Sequence, residues 1–180
     1  MKKATIWRKH TNKMLRQHCA ALPVRTVLDV GAGPEHEDKE GRAYREYFPS
    51  AERHTLDFRI TADDPNHYTC DLHDTSGIAN RFDLILCMNV LEHVRNPFVV
   101  ADNLKTLLNP QGYIFVAVPF VLKLHGLSYG DYWRFTHMGL KTLFDDMDTV
   151  MLGPSPDAER WGYVGLFRAL ECKGESESET

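Results

Sequence analysis

Cysteine is scarce and scattered in this 180-residue chain: Cys19, Cys70, Cys87 and Cys172 form no CxxC pair and no Cys/His knuckle. That spacing excludes a zinc ribbon and a disulfide scaffold, and it makes a reducing, cytoplasmic compartment the expectation. Acidic residues are missing from the first 28 positions altogether. Long apolar runs are missing too. The densest, GYIFVAVPFVLKL from Gly112, is broken by Pro119 and falls short of the roughly 20 residues that a bilayer-spanning helix needs, so no membrane span is expected. The N-terminal MKKATIWRKH has the charges of a secretion signal but no apolar segment behind them, and is expected to be retained.

What is present fits one globular domain. Hydrophobic residues make up 43% of the chain, and 21 basic against 25 acidic residues give a formal charge of −4. A chain of this size buries roughly 70% of its unfolded surface, enough for a three-layer core without metal or disulfide. The mildly acidic balance argues against general phosphate-backbone binding and leaves local nucleic-acid contact open. Charge is segregated along the chain. Residues 1–25 read as a basic amphipathic helix with Trp7, His10, Met14, His18 and Leu22 near one face and Arg8, Lys9, Lys13 and Arg16 around the rest. The basic face is either a solvated surface or a lid or anion-contacting arm. Residues 26–173 form the expected domain, and residues 174–180 an acidic, frayed tail.

Within that domain, strand and helix signals alternate. TVLDV (26–30) runs into GAGP, EGRAYREYF (40–48) is helix-like, RHTLDF (53–58) is a second strand and HYTCDL (67–72) a third. FDLILCM (82–88) is a continuous apolar run of the kind buried on both faces of a sheet. Asn96 and Pro97 form an N-cap and first turn, and YIFVAVP is the next strand. Thr136 caps a further helix, and DTVMLG (148–153) and YVGLFRALECK (163–173) close the chain as a strand pair. The expected fold is α/β and Rossmann-like: a mostly parallel sheet of about seven strands, an antiparallel edge, helices on both faces, and several trimmed connections.

Gly31 and Gly33 follow an apolar strand whose penultimate residue is Asp29. Glycines there let the backbone turn tightly and approach a ligand closely, with exposed N–H groups and a carboxylate at hand. Asp57 and Asp71 end the next two predicted strands. Three carboxylates on one sheet edge lie where open α/β sheets bind ligands, and Asp57 stands at the offset that serves ribose hydroxyls.

With VLDVGAG, LDF, CDLHD and FDLILCMNVLEHVRNP in order, the chain resembles the class I S-adenosylmethionine-dependent methyltransferases from Val27 to about Phe144. DYWRFTHMGLKTLF (131–144) is similar to a segment of small methyltransferases associated with glycan modification. The resemblance implies S-adenosylmethionine as cofactor, with Gly31, Ala32 and Gly33 around its methionine end and Asp29 nearby. It further implies Asp57 on the ribose, Phe58 and Leu72 beside adenine, Asp71 on the adenine amino group, and Met88 with Asn89 beneath the sulfonium. Pro34 and the charged EHEDKE stand where a third glycine is often expected, and His137 stands where proline commonly follows DYWRFT.

Transfer to a hydroxyl calls for a base near neutral pKa, and His93, His125 and His137 are the candidates. Tyr132, Trp133 and Arg134 offer aromatic faces and a guanidinium as an acceptor platform. No metal is expected: Glu35, His36, Glu37 and Asp38 crowd one loop, but adjacent residues rarely converge on one ion. An Asn/Asp-Pro-Pro-aromatic motif and a Pro-Cys nucleophile are absent, which demotes nucleic-acid base methylation. O-methylation of a small molecule or glycan unit is the leading expectation. A non-catalytic partner subunit and an RNA methyltransferase are the alternatives, and a homodimer or partner subunit could complete the pocket.

Overall fold

The computed structural model describes residues 6–33, 44–126, 128–154 and 161–171. Their elements run α1 (Ile6–Cys19), β1 (Thr26–Val30), α2 (Tyr44–Tyr47), β2 (Glu52–Leu56), β3 (His67–Tyr68), β4 (Phe82–Met88), α3 (Pro97–Thr106), β5 (Leu108–Pro119), α4 (His137–Leu143), β6 (Asp148–Pro154) and β7 (Gly162–Arg168). A single 3-10 turn, Leu91–His93, lies between β4 and α3. The seven strands form one sheet in the order β3-β2-β1-β4-β5-β7-β6. β1 to β5 are mutually parallel, and β7 is antiparallel to both β5 and β6. The mostly parallel sheet with an antiparallel edge is as expected from the alternation of signals.

β4 shows why its apolar run is continuous. Ile85 and Cys87 join the core on one face, with Val100, Ala101 and Leu104 of α3 and Leu140 and Leu143 of α4. Leu84 and Leu86 join the core on the other, with Trp7, Met14, Leu15 and Cys19 of α1. Successive side chains of a strand point to opposite faces, so a central strand needs apolar residues at every position. Asn96 caps α3 by accepting the N–H groups of Phe98 and Val99, and Pro97 occupies its first turn, where a missing N–H leaves no orphan.

Several boundaries differ from the sequence expectation. β2 stops at Leu56 and β3 spans two residues, so Asp57 and Asp71 stand in loops beyond the strand ends. β5 begins at Leu108 because that residue already pairs with Phe82, and the NPQG segment is taken up in a register shift before Tyr113, with Gln111 in the left-handed region. β7 ends at Arg168. The buried face of α1 is Trp7, His10, Thr11, Met14, Leu15 and Cys19, not a line continuing through His18 and Leu22. A strict four-residue step drifts off one face of a 3.6-residue helix, and the i, i+3, i+4 set keeps to it. The helix expected over 40–48 is α2 at its C-terminal end, and its first residues lie outside the described residues, as do the acidic tail and Cys172.

Candidate active site at the carboxyl ends of the central strands

The strand order reverses between β1 and β4, and the loops leaving their carboxyl ends diverge to open a crevice. A cavity of about 530 Å³ fills it, lined by Gly31, Asp57, Asp71, Asn89, His93 and Tyr132 among others. That volume suits a small-molecule ligand.

The β1 side is built largely by backbone. Gly31 has φ +69°, and a Cβ there would stand 2.5 Å from Val90 Cγ2. Its N–H donates to Leu56 O at 2.7 Å, which fastens the loop to the end of β2. Asp57 follows directly and is 4% exposed. One of its carboxylate oxygens accepts the Gly33 N–H at 3.2 Å and the other the Arg59 N–H at 2.8 Å. Each oxygen keeps a further lone pair. Phe58 lines the same cavity at 54% exposure, and Asp71 and Leu72 line it from the loop after β3. The His73 backbone N–H and Nδ1 both reach Asp71 Oδ1, and this bonding holds the Asp71 carboxyl below its ordinary range against the opposing effect of burial. Asp29, Ala32, Gly33 and Met88 sit at the strand ends without lining the cavity. Pro34 and the Glu35–Asp38 cluster lie outside the described residues.

The β4 side is built by side chains. Asn89 takes φ +58°, in the left-handed region that Asn tolerates better than most residues. Its Oδ1 accepts the Trp7 Nε1–H at 2.7 Å, so α1 is tied to the cavity floor. The 3-10 turn then presents Glu92 and His93. Glu92 is 0% exposed, and neither carboxylate oxygen has a hydrogen-bond partner among the described residues. Its Oε1 lies 3.7 Å from His93 Nε2 and 3.8 Å from His125 Nε2. The two imidazole rings meet edge to face, 4.7 Å between centroids. The nearby Glu92 carboxylate and then Asp131 raise the pKa of His125 above its ordinary value, against partial burial.

The DYWRFT segment packs directly onto this turn. The Tyr132 and Trp133 N–H groups both donate to Glu92 O, and Trp133 Nε1–H donates to Val94 O at 2.9 Å. Arg134 grips Asp131 through both guanidinium nitrogens, at 2.5 and 2.8 Å, and holds the Asp131 carboxyl far below its ordinary range. Of the three residues expected to form an acceptor platform, Tyr132 lines the cavity, whereas Trp133 and Arg134 brace the loop. Of the three histidines, His93 and His125 come together. His137 stands apart at the start of α4, its ring 5.6 Å from that of Tyr163.

Sequence reasoning missed Glu92, Tyr129 and Arg59. A carboxylate inside the apolar VLEHV run was the available signal for Glu92. Nothing marked Tyr129, whose ring stacks against the Arg59 guanidinium at 4.2 Å and meets His93 edge to face at 4.8 Å. Among the described residues no helix is long and apolar enough to cross a membrane.

Comparison with known proteins agrees with this architecture. Over 113 residues the chain is 31% identical to the ubiquinone biosynthesis O-methyltransferase of Actinobacillus pleuropneumoniae serotype 7, covering 56% of this chain and 48% of that protein. The chain thus spans less than half the length of the curated relatives it matches. Its fold matches the N-methyltransferase NodS of Bradyrhizobium japonicum, crystallised with S-adenosylhomocysteine, at a TM-score of 0.65 and 16% identity over 91% of this chain and 87% of that one. It also matches the 1,6-didemethyltoxoflavin N1-methyltransferase of Burkholderia thailandensis at a TM-score of 0.66 and 20% identity, over 92% and 79% of the two chains. Residues 5–146 match the family described as the methyltransferase domain, and with the strand order and the crevice at its reversal point this chain belongs to the class I S-adenosylmethionine-dependent methyltransferases.

Proposed function

We propose that the protein transfers a methyl group from S-adenosylmethionine to a hydroxyl oxygen of a small molecule. The observation that carries this reading is the convergence of His93 and His125 on the buried Glu92 carboxylate beside the cavity. A hydroxyl must shed its proton as it attacks carbon, and such a cluster serves that need. The matched relatives named as O-methyltransferases support the same acceptor atom. Tyr129 and Tyr132 give the cavity aromatic walls suited to a flat acceptor.

S-adenosylmethionine supplies an activated methyl on a sulfonium, and transfer is an in-line displacement. In this reading Asp57 accepts hydrogen bonds from two ribose hydroxyls through the lone pairs that the Gly33 and Arg59 N–H groups leave open. Gly31 lets the chain approach the methionine end closely, helped by Ala32, Gly33 and the adjacent Asp29. Phe58 and Leu72 flank the adenine, Asp71 accepts from its amino group, and Asn89 with Met88 floors the transferring centre. Trp7 holds Asn89 in place, which gives α1 a positioning role at the site. The free thiols of Cys19, Cys70 and Cys87 suit a reducing cytoplasm.

The test is calorimetric titration with S-adenosylhomocysteine, followed by transfer assays on phenols, catechols and sugars. Saturable one-site binding and methylated oxygen in the product support the reading. Cofactor binding with transfer to amines alone would overturn the choice of acceptor.

A further inference from the structure

Glu92, His93 and His125 offer one oxygen and two nitrogens that all lie within 4.8 Å of one another. We propose that they form a binding site for a divalent transition-metal ion. Binding of the ion needs no support from the acceptor reading; its catalytic use rests on that reading and deepens it.

The first argument is the carboxylate. Glu92 is fully buried, and its two oxygens accept no hydrogen bond among the described residues. A buried carboxylate in that condition is costly unless a positive charge meets it. The second argument is the orientation of both imidazoles. His93 Nδ1–H donates to Gly130 O at 2.6 Å. The Nδ1 of His125 lies 3.3 Å from Asp131 Oδ2 and 3.2 Å from Lys123 O, both of them acceptors. With Nδ1 carrying a proton in each ring, both Nε2 atoms, 3.7 and 3.8 Å from Glu92 Oε1, are left to act as ligands. Carboxylate or carbonyl on one imidazole nitrogen and metal on the other is the usual second shell of a histidine metal site. Two ligand atoms on bonds of about 2.1 Å to one ion stand at most about 4.2 Å apart, close to the separation of 4.8 Å or less among these three.

This arrangement also accounts for DYWRFT. Asp131 orients His125 through side chain and backbone, accepting the His125 N–H at 2.9 Å, and Arg134 locks Asp131 bidentately. Tyr132 and Trp133 pin the backbone of Glu92. The segment acts as a brace for the three ligands, with Arg134 as a positioning residue.

Two imidazoles and one carboxylate favour zinc, manganese, iron or cobalt over magnesium or calcium. The ion lies beside the acceptor end of the cavity, where His93 forms part of the wall. There it binds an acceptor hydroxyl and lowers its pKa. The proton leaves to water, the oxygen forms its bond to the methyl carbon, and the carbon–sulfur pair stays on sulfur, which becomes a neutral thioether.

Untagged protein stripped with chelator and titrated with Co²⁺ tests the site by its visible ligand-field bands. One equivalent is expected to saturate them, and Zn²⁺ to displace them. Glu92→Gln and His125→Ala are each expected to weaken cobalt binding by more than about 100-fold, and Arg134→Ala by about 10-fold. Glu92→Gln conserves shape, and the zinc competition uses the wild type, so a misfolded His125 variant does not blur the result. No saturable bands in the wild type, or bands unchanged in Glu92→Gln, would overturn the site. S-adenosylhomocysteine affinity is expected to survive in Glu92→Gln. Cobalt binding without any binding of S-adenosylhomocysteine would instead sink the methyl-transfer reading and leave the metal site standing.

Discussion

Asp57 and Glu92 are buried carboxylates on opposite sides of one cleft, 4% and 0% exposed, yet their surroundings differ in kind. Asp57 accepts two backbone N–H groups from its own loops. Glu92 accepts none from the described residues and faces two imidazole nitrogens just beyond hydrogen-bond reach. The β1 side is thus organised by backbone geometry of two short loops, 31–33 and 56–59. The β4 side is assembled from residues 91–93 and from the distant His125 and residues 129–134, whose side chains converge only in the fold. In the proposed reading the β1 side serves the cofactor and the β4 side the acceptor.

Substitutions can separate the two sides. The largest expected effect is in Asp57→Ala, which removes both proposed ribose contacts: affinity for S-adenosylhomocysteine falls by roughly 100-fold in calorimetry, from about 3 kcal/mol of charge-assisted bonding. Cobalt binding should be untouched, and a parallel loss there would merge the two sides into one. Gly31→Ala comes next. It places a Cβ at φ +69° and 2.5 Å from Val90 Cγ2, so denaturant unfolding should show a loss of about 2 kcal/mol along with weaker cofactor binding. Trp7→Phe removes the bond to Asn89, which touches both sides, and should lower stability by about 1 kcal/mol.

Asp83 stands at the opposite end of the sheet and provides a control. Burial raises its pKa, but the Asn109 amide and the Arg25 and Thr26 N–H groups outweigh burial and hold it below its ordinary value. A carboxyl with a depressed folded-state pKa stabilises the fold above its ordinary pKa of about 4, and that contribution is lost as pH falls through the folded value. Asp83→Asn should therefore be less stable than the wild type near neutrality, with the gap narrowing in acid-unfolding curves below about pH 4. Both ligand affinities should be unchanged.

Much of the β1 side was legible in the sequence. VLDVGAG and the spacing to Asp57 carry local rules of strand, turn and carboxylate, and the apolar FDLILCM run identifies a central strand. The β4 side was legible only in its parts. VLEHV and DYWRFT are visible motifs, but nothing in their spacing of about 40 residues says that His125 and His93 share a carboxylate, or that Arg134 is committed to Asp131. Such pairings depend on how the loop after β5 folds back, which no short-range pattern encodes. The same limit explains why Trp133 and Arg134 read as binding residues. Their chemistry suits a ligand, and only the structure shows it engaged by the protein itself.

The most direct measurement is one calorimetric series: S-adenosylhomocysteine titrated into the wild type, Asp57→Ala and Glu92→Gln under identical conditions. The account predicts one-site binding in the wild type, a loss of about 100-fold in Asp57→Ala and near-wild-type affinity in Glu92→Gln. Equal losses in the two variants would contradict the division of the cleft into a cofactor side and an acceptor side.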